Sequence, residues 1–395
     1  MSSNLSALQL DSPSNLEGLP LELLEEILSH LHTPTIKQLS LASSTLHSAC
    51  FPYFFRNLAL HGSFGPATKF LADFEKRVPI SCLRTVWLEW VKEDVSTAIF
   101  PWCKGVHSVK INGSSVGNTA ILPALTYLTN LELTNLSFPC LADYFRLLET
   151  LPLTVKSVKV RMITFRESQS NWIVGRRIEL ERLDIDSAAD LGPFLRDDCP
   201  ISPFSLREVS LPYSSVRDLE VFLRRIPILL DLSIKMDKFE DIPVSFVFTK
   251  SKALSIIDCT RDTCFLKNLF APSSDTPSPL ESLNLTFSCT QWVSPQQVSR
   301  HLAQVFSQPR FHNLRMLHLN IERPLFGVLN SELSQGWHGW ARRFELDLQA
   351  VGRIPRIAVS TVEPLETYRG NNDESTQYDR LKSTYITYKE FQQAI

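Results

Sequence analysis

The chain has 395 residues, 44% hydrophobic and 21% charged, a globular balance with enough length to bury a large core. Its 40 basic side chains stand against 42 acidic ones, a formal net charge of -2, which gives no overall electrostatic case for nucleic acid or an anionic membrane. The polar first residues lack the basic start and apolar run of a signal peptide, and no stretch approaches the roughly 20 apolar residues that cross a bilayer.

Residues 1–15 are rich in Ser and Asn and are expected to be disordered. The segment from Leu19 to Leu58 is apolar and helical in period. Leu19, Leu23, Leu24, Ile27, Leu28 and Leu31 recur at the spacing of one helix face. Pro20 suits a first helical turn, where its missing N–H costs nothing, and Glu22, Glu25 and Glu26 lie on the other face. A break at Thr33-Pro34 precedes a second run, with Thr35 and Gln38 spaced as a capping box and Ile36, Leu39 and Leu41 as apolar members. Ser43 or Ser44 offers the N-cap of a third helix through Leu46, Ala49 and Cys50. Three such helices are too few for a large core of their own. They read either as a docking unit or as a helical cap on the next domain.

This stretch resembles an F-box. Leu19, Pro20, Glu22, Leu23, Leu24, Ile27, Leu28 and Leu31 carry the resemblance, together with the later run LSLAS…LHSACFPYFFRNL. The Trp common near the end of the third helix is absent; Leu46, His47, Phe51, Tyr53, Phe54 and Phe55 stand in that region. The resemblance implies that residues 16–60 dock onto the Skp-type linker of a cullin–RING ubiquitin ligase. It implies Leu19, Pro20, Leu23, Leu24, Ile27, Leu28, Leu31, Ile36, Leu39 and Leu41 as the linker-binding residues.

From residue 61 to 362 an L-x-x-L-x-L pattern repeats with aliphatic swaps. It opens at Leu83, Val106, Leu128, Val155, Leu180, Leu206, Leu229, Leu280 and Leu314, with a weaker copy read as Leu254/Ile257/Cys259. The period sits in the roughly 20–29-residue range of leucine-rich repeats, except before Leu314, where it lengthens. Helical spacing precedes the pattern at Leu141 to Leu151, at Val216 to Ile226 and, from Ser294, at Val298, Leu302 and Val305. The fold class expected is α/β: a three-helix F-box followed by a curved leucine-rich-repeat-like solenoid with parallel strands on its concave face. A single large α/β domain with a parallel sheet is the alternative. The repeats resemble the irregular ones often found after F-boxes. The Asn expected three residues past the last aliphatic is replaced by Val91, Ser114, Leu136, Ile163 and Ala188.

Residues 165–176, 271–279 and 323–340 read as insertions or loops. FELDL and RIAVSTV, between residues 341 and 362, read as closing strands, and residues 363–395 as a polar tail.

No phosphate-cradling loop, dinucleotide fingerprint, metalloprotease helix or nucleophile elbow occurs. The eight cysteines form no C-x-x-C and read as reduced thiols of an intracellular chain, cytoplasmic or nuclear. The spacing of Cys259 and Cys264 fits no common zinc site. No cofactor, metal or catalytic residue is expected, and neither a nucleic acid nor a membrane as partner. The expected working surface is the strand face opposite the aliphatics. Trp87, Lys110, Lys159, Arg161, Asp184 and Asp186 are its candidate binding residues, beside Ser210, Lys235 and Asn284. Charge pairing between neighbouring repeats is the competing role for its ions, and packing against the neighbouring repeat, together with Trp90 and Trp102, is the competing role for Trp87. The resemblance implies a substrate-recognition subunit of an SCF-type ligase that supplies proximity to a target protein. A protein-interaction scaffold without degradation, or an enzyme with an unrecognised site, is the alternative.

Overall fold

The computed structural model describes residues 16–54, 56–62, 83–93, 97, 99–113, 116–167, 172–186, 191–212, 216–227, 229–235, 251–257, 279–288, 311–322 and 356–362. They divide into two compact units, one reaching His107 and the other starting at Ser108.

The first unit opens with three helices: α1 (Leu21–His30), α2 (Thr33–Ser40) and α3 (Ser44–Phe54). Their boundaries differ slightly from the sequence pattern. Pro20 is the N-cap of α1, and its carbonyl accepts from the N–H groups of Leu23 and Leu24, both at 3.1 Å. The second helix starts before the expected capping box. His32 is its N-cap and Pro34 sits within its first turn, where a helix tolerates proline because that N–H has no intrahelical acceptor. Thr35 is therefore inside α2 and caps nothing. Between the two candidate caps of α3 the structure uses Ser43, whose Oγ accepts the Leu46 N–H at 3.1 Å. The three helices close on Leu24, Leu28, Ile36, Leu46 and Cys50, all buried, with Leu31, Leu39, Ala49, Tyr53 and Phe54 packed at the edge. The Tyr53 hydroxyl donates to the Glu25 carbonyl at 3.0 Å and ties α3 to α1.

Two parallel strands come next, β1 (Asn57–His61) and β2 (Thr85–Glu89), paired from Asn57↔Thr85 to His61↔Glu89. Alternate residues Leu58 and Leu60 of β1 are buried, so a strand begins inside the stretch that reads from sequence as the end of the helical domain. Gly62 closes β1 against the next turn of chain. A Cβ there would lie 1.9 Å from the Trp90 carbonyl oxygen, so only glycine fits.

The second unit carries ten strands among the described residues: β3 (Ser108–Asn112), β4 (Asn130–Cys140), β5 (Ser157–Glu167), β6 (Arg182–Ile185), β7 (Glu208–Pro212), β8 (Leu229–Lys235), β9 (Ser251–Ile257), β10 (Ser282–Ser288), β11 (Met316–Glu322) and β12 (Arg356–Val362). Each pairs in parallel with the next in sequence. Helices α4 (Leu141–Thr150), α5 (Gly192–Leu195) and α6 (Val216–Arg225) lie between strands. Parallel neighbours need a crossover, and these helices with 3-10 turns at Phe100–Gly105 and Val116–Ala124 supply part of the connections. The helical spacings at 141–151 and 216–226 thus appear as α4 and α6. The run from Ser294 and the strand FELDL lie outside the described residues, whereas RIAVSTV is β12.

Register places the second and third aliphatics of the motif in two continuous buried columns. Val109, Leu131, Val158, Leu183, Val209, Leu232, Leu254 and Leu283 form one, and Ile111, Leu133, Val160, Ile185, Leu211, Ile234, Ile256 and Leu285 the other. This corrects the weakest copy. Leu254 aligns with Leu232 and Leu283, and so holds the motif's second position, with Ile256 as the third. Ser251 pairs with Leu229 and fills the first, buried position. A hydroxyl where the pattern demands an aliphatic displaced the reading by three residues.

The position past the motif explains the missing Asn. Trp90, Gly113, Asn135 and Met162 each stand two residues beyond the last aliphatic and are left-handed, at φ 53, 62, 54 and 48°. In β4 and β5 the pairing passes from Thr134↔Arg161 to Leu136↔Ile163, skipping the left-handed pair. One skipped residue inverts the strand alternation, so Val91, Leu136 and Ile163 turn inward and are buried. An apolar column stands where an Asn ladder would run. Ser114 and Ala188 lie outside the described residues.

Candidate functional site

In the first unit the expected linker-binding residues separate into two groups. Leu24, Leu28 and Ile36 are buried in the helical core, and Leu31 and Leu39 pack against it. Leu19 is half-buried and Pro20 exposed. Leu23 is 54% exposed, Ile27 37% and Leu41 84%. The apolar members of α1 span too wide an arc for one contact. Leu24, Leu28 and Leu31 take an i, i+4, i+7 line inward, while Leu23 and Ile27, one residue earlier in each turn, form a neighbouring line in solvent. Leu21, also exposed, falls outside that spacing. Only the size of the core, readable after folding, separates the inner line from the outer.

In the second unit the strand face opposite the buried columns is charged over β3 to β6. Lys110 pairs with Glu132 at 3.4 Å. Arg161 lies 3.9 Å from the same carboxylate oxygen and 3.1 Å from Asp186. Lys159 pairs with Asp184 at 3.5 Å. The expected residues Lys110, Lys159, Arg161, Asp184 and Asp186 are thus brought onto one face, where opposite charges on neighbouring strands meet, in agreement with the competing role of inter-repeat pairing. Further along, the same row continues through Ser210, Ser233, Ser255 and Asn284. Asn284 Oδ1 accepts from Asn320 Nδ2 at 2.8 Å.

Trp87 departs from the expectation. It is 2% exposed, between the fully buried Val86 and Leu88, and its partner on β1 is Ala59, whose small side chain leaves room for an indole. A large aromatic surface gains more from burial than from water, and strand alternation alone could not reveal that its side is covered. Trp87 is therefore not an exposed anchor.

Among the described residues, Cys50, Cys103, Cys140 and Cys199 are free thiols. Burial pushes the Cys103 thiol up to about 12 and Cys199 to about 11, so both stay protonated and poor nucleophiles near neutrality. Cys259 and Cys264 lie outside the described residues. No group of three or more His, Cys, Asp or Glu side chains able to hold a metal occurs among those described, and no described helix is long and apolar enough to cross a membrane.

Residues 16–51 match the F-box domain, which covers α1, α2 and most of α3. No curated protein matches the chain. The helices that leave Leu23, Ile27 and Leu41 exposed thus lie in a segment matched to the F-box domain, a domain that suggests an adaptor role in ubiquitin ligase complexes.

Proposed function

We propose that this chain is the substrate-recognition subunit of an SCF-type ubiquitin ligase: its F-box docks a Skp-type linker and its repeat region, stacked as a leucine-rich-repeat-like solenoid, holds a target protein. The observation that carries this reading is the exposure of Pro20, Leu23, Ile27 and Leu41 on a segment matched to the F-box. A helical unit with a finished core that still leaves several large aliphatics in water has a surface suited to a partner. The strand-after-strand parallel order of β3 to β12 and its two aliphatic columns support the stacked-repeat reading. On this reading the chain contributes proximity, and the transfer chemistry belongs to the other subunits.

The test is co-purification of the full chain with a Skp-type linker, comparing the intact protein with a Leu23→Asp, Ile27→Asp double variant. Both side chains are solvent-facing, so circular dichroism is expected to stay unchanged. Burying each at the linker is worth about 1.5–3 kcal/mol when complete, so the double variant should lose binding by about a hundredfold or more. Equal binding by the two proteins would remove this line from the docking surface. Failure of the intact chain to bind would overturn the ligase reading, and a scaffold acting through the second unit would take its place.

A further inference from the structure

A cavity of about 560 Å³ opens in the second unit among β6, α5, α6 and the segments beside them. This volume is in the range of ligand pockets, roughly 300–1,000 Å³. Its floor is apolar: Leu183, Phe194, Ile201, Leu206 and Phe222 line it and are buried. Phe204 also lines it and is 67% exposed, an aromatic ring left in water at the edge of an apolar hollow.

Four guanidinium groups, those of Arg177, Arg196, Arg224 and Arg225, line the same cavity with a single lining carboxylate, Asp197. Two further acids reach the arginines from beside it. Asp198 holds Arg196 through two hydrogen bonds of 2.7 and 2.8 Å, and Glu220 pairs with Arg224. Arg225 pairs with Asp197 at 2.8 Å, and that Asp197 side chain is fully exposed. Arg177 donates to the Asp197 backbone carbonyl at 3.3 Å; among the described residues its charge meets no carboxylate. The rim therefore carries one more cation than anion, and the Arg225 pair is an exposed one, worth little and open to exchange.

Arg177 is held in place. Glu149 Oε1, near the end of α4, accepts from the indole N–H of Trp172 at 3.2 Å and from the backbone N–H groups of Gly175 at 2.8 Å and Arg176 at 3.4 Å. The Arg176 guanidinium donates to the Leu151 carbonyl. On the other side Ile178 bridges to Ile201 on the cavity floor. A cation fixed beside an apolar hollow suits a ligand that is apolar at one point and acidic next to it.

We propose that this cavity binds a short acidic peptide segment of a partner protein, an aliphatic or aromatic side chain filling the hollow under Phe204 and flanking carboxylates meeting Arg177 and Arg225. The apolar floor selects the anchor and the excess of guanidinium selects the flanks, with planar forks that match carboxylates. This proposal stands on the second unit alone and needs no ligase component for its test.

The probes are fluorescein-labelled seven-residue peptides with a central Leu or Phe flanked by Asp and Glu. Matched peptides carry Lys flanks or a central Ala. Anisotropy is read against the full chain at about 0.1 M salt, where charges within some 10 Å still attract. The acidic, apolar-centred peptides are expected to bind, and either change to the peptide to weaken binding about tenfold or more. Arg177→Gln and Phe204→Ala, both at exposed side chains, are each expected to weaken it about fivefold or more, with circular dichroism unchanged. Absence of binding by every acidic peptide overturns the proposal, as does binding unaffected by both substitutions, or equal binding of the Lys-flanked set. Arg177-dependent sedimentation with vesicles of anionic phospholipid, in a chain that ignores the peptides, also overturns it and makes the cavity a lipid site.

Discussion

At the scale of single residues, the cost of burial in this chain is concentrated at a few polar atoms. Tyr144, on α4, is fully buried among rings, 5.2 Å from Phe138 and 5.7 Å from Phe165 between centroids, with Phe194 edge-on at 6.3 Å. Its hydroxyl has no hydrogen-bond partner among the described residues. A buried donor without an acceptor forfeits about 1–3 kcal/mol of solvation, and removing it with the ring kept is neutral or stabilising. Tyr144→Phe is expected to raise stability by about 1 kcal/mol, seen as a higher urea midpoint at unchanged slope. A lower midpoint would mean that the hydroxyl has a partner after all. Trp87 illustrates how a residue's surroundings decide its role: its type and its place on β2 were legible in sequence, but the cover over it was not.

At the scale of elements, the left-handed residue past the motif in β4 and β5 sets which side chains the rest of each strand turns inward. Because it inverts the alternation, Leu136 reaches the interior from β4 and pairs with Ile163 of β5. An Asn at that position would bring an amide into an apolar column with no neighbouring Asn to receive its hydrogen bonds. Leu136→Asn is expected to cost about 2–4 kcal/mol, as a lost aliphatic plus a buried polar group, and chemical denaturation measures it directly. A near-neutral result would show that the column can rebuild itself as an amide ladder. The recurring aliphatic pattern and the α4 and α6 helices were readable from periodicity. The register of β9 was not, because Ser251 holds a place where only an aliphatic would have announced it.

At the scale of the whole molecule, two units carry separate surfaces. The exposed aliphatics of the F-box lie in the first and the arginine-lined cavity in the second. A core change in the F-box should therefore affect one activity alone. Leu28→Asp puts a charge into the Leu24, Leu28, Ile36, Leu46, Cys50 core, where an isolated ion is not tolerated. It is expected to abolish linker binding by unfolding the helices, to reduce helical circular dichroism, and to leave the affinity for acidic, Leu-centred peptides within about twofold, the size of effect usual for independent sites. A parallel loss of peptide binding would show that the two units fold as one cooperative body.

The order of residues was enough to specify the helical opening, its F-box character and the recurring aliphatic strands, because periodicity and spacing are local properties that a one-dimensional reading preserves. Folding in three dimensions settled which of the Leu and Ile side chains of α1 complete a core and which remain in water. It also settled that Trp87 is covered, that the β3–β6 charges neutralise one another, and that four arginines from 177 to 225 converge on one apolar hollow. Each of these depends on which distant residues meet, and burial and charge pairing are properties of neighbours in space rather than along the chain.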